Sequence, residues 1–390
     1  MTRAAEEVLG PRLHAGLVIA PNVGDISTSP DLRSQVFRGA RNNLPDMDSV
    51  TATQRALESL YKNDATDTVF LFLISGGGSA LFCAPDGITL EEKLSTIRAL
   101  TANGADIRVL NAFRQKLSTV KGGKTLNYIT KGEVVALIIS DLVSNQIQFI
   151  ASGPTIPQTT AMLEMSEALT TSPKWTALLP EKILARLKVN PPSPKVNPHN
   201  IIIASITTAL SALQQFFTSK GYDAHVVTST LVGDATQRGK DFAELLMTPK
   251  QNLHEALHKF AADFNAELGN KIALLFGGET TVIIRGKGKG GRSQEMALSC
   301  LANLSSSSLP KFLFLAAGTD GQDGPTDATG AYVTNNDVNS DIVERCTNYL
   351  KDSNSYEFWS TYNHGSNHIK PGPTGTNVMD VQIVLMEFAQ

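Results

Sequence analysis

At 390 residues the chain exceeds what one hydrophobic core usually holds, so two domains are expected. Apolar residues make up 42% and charged residues 18%, the balance of a soluble globular protein. A net charge of −3 supplies no basic field for nucleic acid or an anionic membrane, and no apolar run approaches the roughly 20 residues that span a bilayer. Cys83, Cys300 and Cys346 are scattered, odd in number and without Cys-x-x-Cys spacing. Neither a disulfide framework nor a thiolate metal site is expected, and a reducing compartment fits. The first residues, Met1-Thr2-Arg3-Ala4-Ala5-Glu6-Glu7, do not form a secretory signal.

Thr2 to Leu9 reads as a helix feeding a strand at Leu17–Ala20, with no strand ahead of it, so the opening βα unit lacks its β half. Further short apolar runs alternate with helical periodicity: Val69–Ile74, Val134–Ile139, Ile201–Ala204, Ile272–Phe276, Thr281–Arg285, Phe312–Ala316 and Val381–Met386. That pattern predicts parallel βαβ units. Thr89 with Glu92 three residues on makes a capping box, Asn103-Gly104 supplies a stop, and Asp106 opens the next helix. Pro191-Pro192-Ser193-Pro194 predicts a surface loop ahead of the strand at Ile201. A polar helical stretch from Met247 to Gly269 marks the expected boundary, giving domains 1–246 and 270–390 joined by 247–269.

Three glycine-dense stretches each follow an apolar run: Ser75-Gly76-Gly77-Gly78-Ser79, Gly286 to Gly291 closing on Arg292, and Gly318-Thr319-Asp320-Gly321. Amides with no Cβ in the way approach phosphate oxygens closely, and a helix starting there adds its dipole. Ligands of open parallel sheets gather beyond the carboxyl ends of the strands, so the pattern predicts a phosphate-handling α/β enzyme. The first stretch lacks both Gly-x-x-x-x-Gly-Lys and Rossmann spacing, and a tight structural turn is the equal alternative. In the second, Lys287, Lys289 and Arg292 put cations and free amides at the start of a helical pattern at Met296–Leu301, where the arginine fork can grip a phosphoryl group. A flexible basic turn is the alternative there.

Asp141, Glu279, Asp320, Asp323 and Asp327 lie at strand ends or in glycine turns, where carboxylates hold Mg²⁺ or orient a hydroxyl. For Asp323 and Asp327 a turn that caps its own backbone is the common alternative. Asn111, Arg114 and Ser118 share one helix face, and Lys116 and Lys121 add charge; a solvated face is the alternative. His254-Glu255-Ala256-Leu257-His258 matches the zinc-protease helix, with Glu279 at a spacing where a third ligand would be sought. Its place in the polar interdomain stretch makes it a surface helix.

Together, Ser75-Gly-Gly-Gly-Ser-Ala80, Asn111-x-x-Arg114-x-x-x-Ser118-x-x-Lys121-Gly-Gly123, Ser140-Asp141, Ala151-Ser-Gly-Pro154, Gly277-Gly-Glu-Thr280, Gly290-Gly-Arg-Ser-Gln-Glu295, Gly318-Thr-Asp-Gly-Gln-Asp-Gly-Pro-Thr326 and Gly375-Thr-Asn-Val378 resemble the class II glycerate kinases, the MOFRL family. The motifs follow family order along nearly the whole chain. The resemblance implies an α/β fold, with a Rossmann-like three-layer parallel-sheet domain plus a second, smaller α/β (MOFRL) domain. It implies ATP-dependent phosphorylation of D-glycerate to a phosphoglycerate, with Mg²⁺, and no nucleic-acid or membrane partner. Arg292 falls at the family arginine that acts on the transferring phosphoryl group. Ser75, Gly76, Gly77, Gly78, Ser79, Asn111, Arg114, Lys121, Asp141, Glu279, Asp320 and Asp323 fall where substrate or ATP is bound.

Two departures qualify the resemblance. Family members carry a Gly-Lys-Ala motif upstream of the segment aligned with Met1–Leu9, and its lysine is held to be catalytic. The resemblance therefore implies a truncated chain, impaired as a kinase, with an exposed sheet edge. A non-catalytic ligand-binding isoform is the alternative. A cytoplasmic location is expected, or a mitochondrial one if a targeting segment precedes this sequence. Ile206 stands where relatives carry asparagine. Hydroxypyruvate reductase activity, once attached to the family, finds no dinucleotide fingerprint here.

Overall fold

The computed structural model describes residues 1–22, 32–41, 44–189, 192–305 and 309–389. It divides into two compact units, Met1–Ile139 with Gln146–Ile203, and Ser140–Asn145 with Ala204–Gln390. Pro191 lies outside the described residues, while Pro192, Ser193 and Pro194 have no regular structure, as the sequence predicts.

The first unit opens with the expected helix Thr2–Leu9 and carries two small sheets. Strands β1 (Leu17–Pro21) and β2 (Gln35–Gly39) pair in parallel, Leu17 opposite Gln35. Strands β3 (Val69–Ile74) and β4 (Glu133–Ile139) also pair in parallel, with β5 (His199–Ala204) on the far side of β4. The capping box forms as read: Thr89 Oγ1 accepts from the Glu92 amide at 3.1 Å and Glu92 Oε2 from the Thr89 amide at 2.7 Å, opening helix Leu90–Ala102. Asp106 caps helix Ile107–Lys116 through the amides of Arg108 and Val109, both at 3.0 Å. Val109, Leu110 and Phe113 of that helix are buried with Leu100, Leu117, Trp175 and Ile183. Burial of this stripe fixes the helix's rotation and with it the side chains of Asn111 and Arg114.

The second unit is a six-stranded sheet in the order β10-β9-β8-β11-β7-β6. Its strands are β6 (Asp223–Leu231), β7 (Lys271–Gly278), β8 (Lys311–Gly318), β9 (Gly330–Thr334), β10 (His368–Ile369) and β11 (Asp380–Glu387). Only β6 and β7 run parallel; the other pairs are antiparallel, so the uniformly parallel pattern expected from the sequence is confined to the first unit and this one edge.

The strand predicted at Thr281–Arg285 does not form. Both edges of β7 are already taken by β6 and β11, and the segment makes a single bridge from Thr281 to Asp234. Ile283 and Ile284 are left 58% and 77% exposed. The division into units also lies upstream of the boundary expected at Met247–Gly269. Leu253 and Leu257, one helical turn apart in that polar stretch, are fully buried with Phe242, Phe276 and Met296 and pin it to the second unit's core.

Candidate active site

In the first unit, β3 turns through Ser75, Gly76 and Gly77 into the short helix Gly78–Leu81. Gly77 has φ +76°, and a Cβ on Gly78 would stand 2.8 Å from that of Ala151. This approach brings Ser79 Oγ to 2.9 Å from Ser152 Oγ. Lys121 Nζ lies 2.7 Å from the Ser79 carbonyl oxygen and 3.0 Å from Ser79 Oγ. Ser152 Oγ donates to Asn111 Oδ1 at 3.3 Å, and Arg114 Nη1 donates to the same oxygen at 3.4 Å.

Lys121 is 1% exposed, and burial drives its ammonium pKa well below the usual lysine range, with Lys93 and Arg114 repelling its charge further. Burial also lowers the pKa of Arg114. Among the described residues no carboxylate lies within ion-pair distance of either cation. Asn111 is buried too, so this face is not the solvated one the sequence allowed. Ser118 turns away from the cluster, accepting from the amides of Val120 and Lys121 at 3.2 and 3.3 Å.

In the second unit Arg292 is the first residue of helix Arg292–Asn303, which starts a turn earlier than the predicted Met296. Its fork is filled from within: Nε and Nη2 donate to Asp380 at 2.5 and 2.9 Å, and Nη1 lies 3.0 Å from Glu279 Oε1. Asp380 sits at the start of β11, opposite Gly278 on one side and Gly318 on the other, which brings the strand ends together at this point. Burial opposes the charge on Arg292, but Asp380 and Glu279 outweigh it and hold its pKa above the ordinary value.

The free amides expected at this helix start are not free. Asp323, 3% exposed, accepts from the amides of Gln294 at 2.9 Å and Ser293 at 3.3 Å, capping the helix with the chain's own carboxylate. Upstream, the amides of Lys287 and Lys289 donate to Asp352 Oδ1 and Asn354 Oδ1, both at 3.1 Å, and that of Gly288 to the Asp352 carbonyl at 2.9 Å. The glycines there let this backbone lie on residues 352–355, while Lys287 and Lys289 point outward, exposed. Burial pushes the carboxyls of Asp323 and Asp380 up to about 6, in Asp380 against the pull of Arg292. Asp320 makes the turn weighed for its neighbours, its Oδ1 accepting from the Gln322 amide at 3.0 Å. Asp141 follows β4, and burial raises its pKa.

Sequence reasoning missed Ser152, Gln294, His368 and Asp380 as participants. Gln294 is fully buried; its Nε2 donates to Asp323 Oδ2 at 3.1 Å, while His368 Nε2 lies 2.9 Å from its Oε1. Burial lowers the His368 pKa to about 4, so it is neutral and donates from Nε2. Ser152 and Gln294 lay inside the recognised motifs, where their neighbours carried the attention. Asp380 falls two residues beyond the last motif, at the foot of a strand. Ile206 is 1% exposed and touches the position a Cβ on Gly277 would occupy, at 2.4 Å, so an apolar packing contact stands where a polar one was sought. His254 and His258 stack edge-on at 5.1 Å at the end of a helix spanning only Leu253–Leu257, and Glu279 belongs to Arg292. No three metal-ligating side chains gather among the described residues.

The chain matches the domain of unknown function DUF4147 over residues 1–188 and the MOFRL family over residues 272–380. It is 36% identical to the glycerate kinase of Rattus norvegicus, across 99% of this chain and 82% of that protein. It is 33% identical to the D-glycerate 2-kinase of Thermotoga maritima, across 99% of this chain and 88% of that one. The crystal structure of glycerate kinase from Thermotoga maritima matches with a TM-score of 0.80 at 30% identity, over 99% of this chain and 88% of that chain. Fold and likeness together define an α/β kinase with a MOFRL domain. The chain belongs to the class II glycerate kinase family.

Proposed function

We propose that this protein transfers the γ-phosphoryl group of ATP to D-glycerate, with Mg²⁺. The observation that carries the reading is the half-buried Arg114 guanidinium beside the buried amine of Lys121, whose protonation a bound carboxylate would favour. Arg114 and Lys121 lack an acidic partner among the described residues and stand beside the polar groups of Ser79 and Asn111. A small hydroxy acid supplies the missing carboxylate and hydroxyls to engage those groups, which makes charge neutralisation and hydrogen bonding coincide. The names of the relatives support glycerate as that acid.

Arg292 is assigned the charge on the transferring phosphoryl group, its guanidinium held in orientation by Asp380 and Glu279. The glycine turn Ser75–Gly78 is assigned to the nucleotide or substrate, and Asp141 of the second unit is retained as a candidate binding residue. Mg²⁺ arriving on nucleotide phosphates needs only one or two protein carboxylates, and Asp320 fits, since its Oδ2 has no partner among the described residues. The metal would neutralise phosphate charge. The test is glycerate-dependent release of ADP in a coupled assay, with phosphorus NMR to assign the phosphorylated hydroxyl. Turnover lost in Arg114→Ala and in Arg292→Ala is expected. A well-folded chain that releases no ADP in response to D-glycerate refutes the reading.

A further inference from the structure

Three side chains of the first unit line up as a proton relay. Lys121 Nζ lies 3.0 Å from Ser79 Oγ, which lies 2.9 Å from Ser152 Oγ. Lys121 and Ser152 are buried, while Ser79 is only half-buried and lies at the start of a helix beyond a strand end. Ser152 is held there at a conformational cost. Ala151 and Ser152 adopt φ +51° and +61°, left-handed values that residues with side chains rarely adopt. The turn is pinned by the Gly122 amide and Gln115 Nε2 on the Ser152 carbonyl, at 3.0 and 3.2 Å, and by the Gly123 amide on that of Gly153, at 2.7 Å. The turn so held keeps Ser152 Oγ within hydrogen-bonding distance of Ser79 Oγ, while the Ser152 proton goes to Asn111 Oδ1.

We propose that Ser79 is a lysine-activated nucleophile, with Lys121 its base and Ser152 its orienting partner, able to hydrolyse small activated carboxylic esters through an acyl-Ser79 intermediate. Burial without a carboxylate partner favours the free amine at Lys121, the form a base requires. Lys121 Nζ takes the hydroxyl proton as Ser79 Oγ bonds to the ester carbonyl carbon. The adduct then breaks its bond to the alcohol oxygen, and the alcohol leaves with that proton. Water attacks the acyl carbon, passing a proton to Lys121. Ser79 Oγ departs and is reprotonated, and the carboxylic acid is released.

The test uses the full chain and p-nitrophenyl acetate, without nucleotide or glycerate, so its outcome is independent of the kinase reading. A burst of p-nitrophenolate equal to the protein concentration is expected, with one acetyl group located on Ser79 by peptide mass spectrometry. Its rate should level off above a single deprotonation lying below the ordinary lysine range. Lys121→Met should slow acylation about 100-fold or more, without rescue by Lys121→Arg. Acetyl groups found only on other residues, a rate still climbing at alkaline pH, or full acylation in Lys121→Met would each overturn the proposal. The first two are read on the unaltered chain and do not depend on a variant's folding.

Discussion

Lys124 offers a stability experiment whose sign is opposite to that of an ordinary lysine. Its side chain is 6% exposed, and Nζ donates to the carbonyls of Gln115, Lys116 and Ser118 at 2.8, 3.3 and 2.6 Å, closing the carboxyl end of the helix that carries Asn111 and Arg114. Desolvation lowers its pKa from 10.5 to about 8, with Asp86 opposing and Arg186, Lys116 and Lys93 adding to the shift. At about 1.4 kcal/mol per pH unit, that gap means the folded state bears about 3 kcal/mol for holding the charge at neutral pH. Between about pH 8 and 10.5 the unfolded chain keeps a proton that the folded chain has lost, so this contribution makes stability rise with pH.

Lys124→Met removes the burden and with it three hydrogen bonds, worth about 1 kcal/mol each, so near pH 7 the two effects cancel to within about 1 kcal/mol. The gap between wild type and variant should then widen in favour of wild type by about 1.4 kcal/mol per pH unit above pH 8, reaching about 3 kcal/mol. Trp175, buried in the same core as this helix, reports unfolding of the first unit when Trp359 in the second is replaced by Phe in both proteins. Urea titrations from pH 7 to 10 measure the difference. A gap that stays constant with pH would show that the carbonyl cage cancels desolvation, and the reasoning fails.

Phe242→Ala should cost about 3–5 kcal/mol, since the ring is fully buried and stands 4.8, 5.0 and 4.6 Å from those of Phe260, Phe276 and Phe314; a loss under about 1 kcal/mol in denaturant titration contradicts that packing account. Asp323→Ala uncaps the helix that begins with Arg292, so a stability loss of about 1–2 kcal/mol is expected together with at least a tenfold fall in turnover; unchanged turnover separates the cap from the chemistry. Turnover should also decline as pH falls through about 6, where Asp323 and Asp380 take up protons and the grip on Arg292 loosens; a profile flat to pH 4.5 is the contrary result. The same two carboxyls keep protons in the folded state that the unfolded chain has released, so their stability contribution is full at low pH and falls as pH rises from about 4 to about 6.

Strands β3, β4, β7, β8 and β11 were legible because each is a near-continuous apolar run, and the capping box at Thr89 because local geometry alone determines it. Strand β6 escaped because its register slips twice, at Val226/Thr228 and Thr228/Leu231, which breaks the alternation; β10 escaped because it has only two residues. At the site, the sequence could supply charges but not their partners. Arg292 and Asp380 lie 88 positions apart and meet only because β11 runs antiparallel between β7 and β8. The burial of Lys121 was equally invisible, because it depends on the Ser79 turn closing over it.

The glycine stretches show why such motifs underdetermine function. Absence of a Cβ licenses close approach of a neighbouring group, and the sequence does not say which. At Gly78 the neighbour is Ala151, and the consequence is a hydroxyl brought beside a buried amine. At Gly288 and Gly290 it is the segment Asp352–Ser355, and the amides that looked available for phosphate are spent on the fold. At Gly291 it is Asp323, a carboxylate standing where an anionic ligand was expected. What separates these cases is the charge left over. Around Arg292 the chain's own carboxylates balance the cation, whereas among the described residues none pairs with Arg114, beside which stands the buried amine of Lys121. In the function proposed above, that imbalance, more than the glycines, is what would draw an acidic substrate to the first unit.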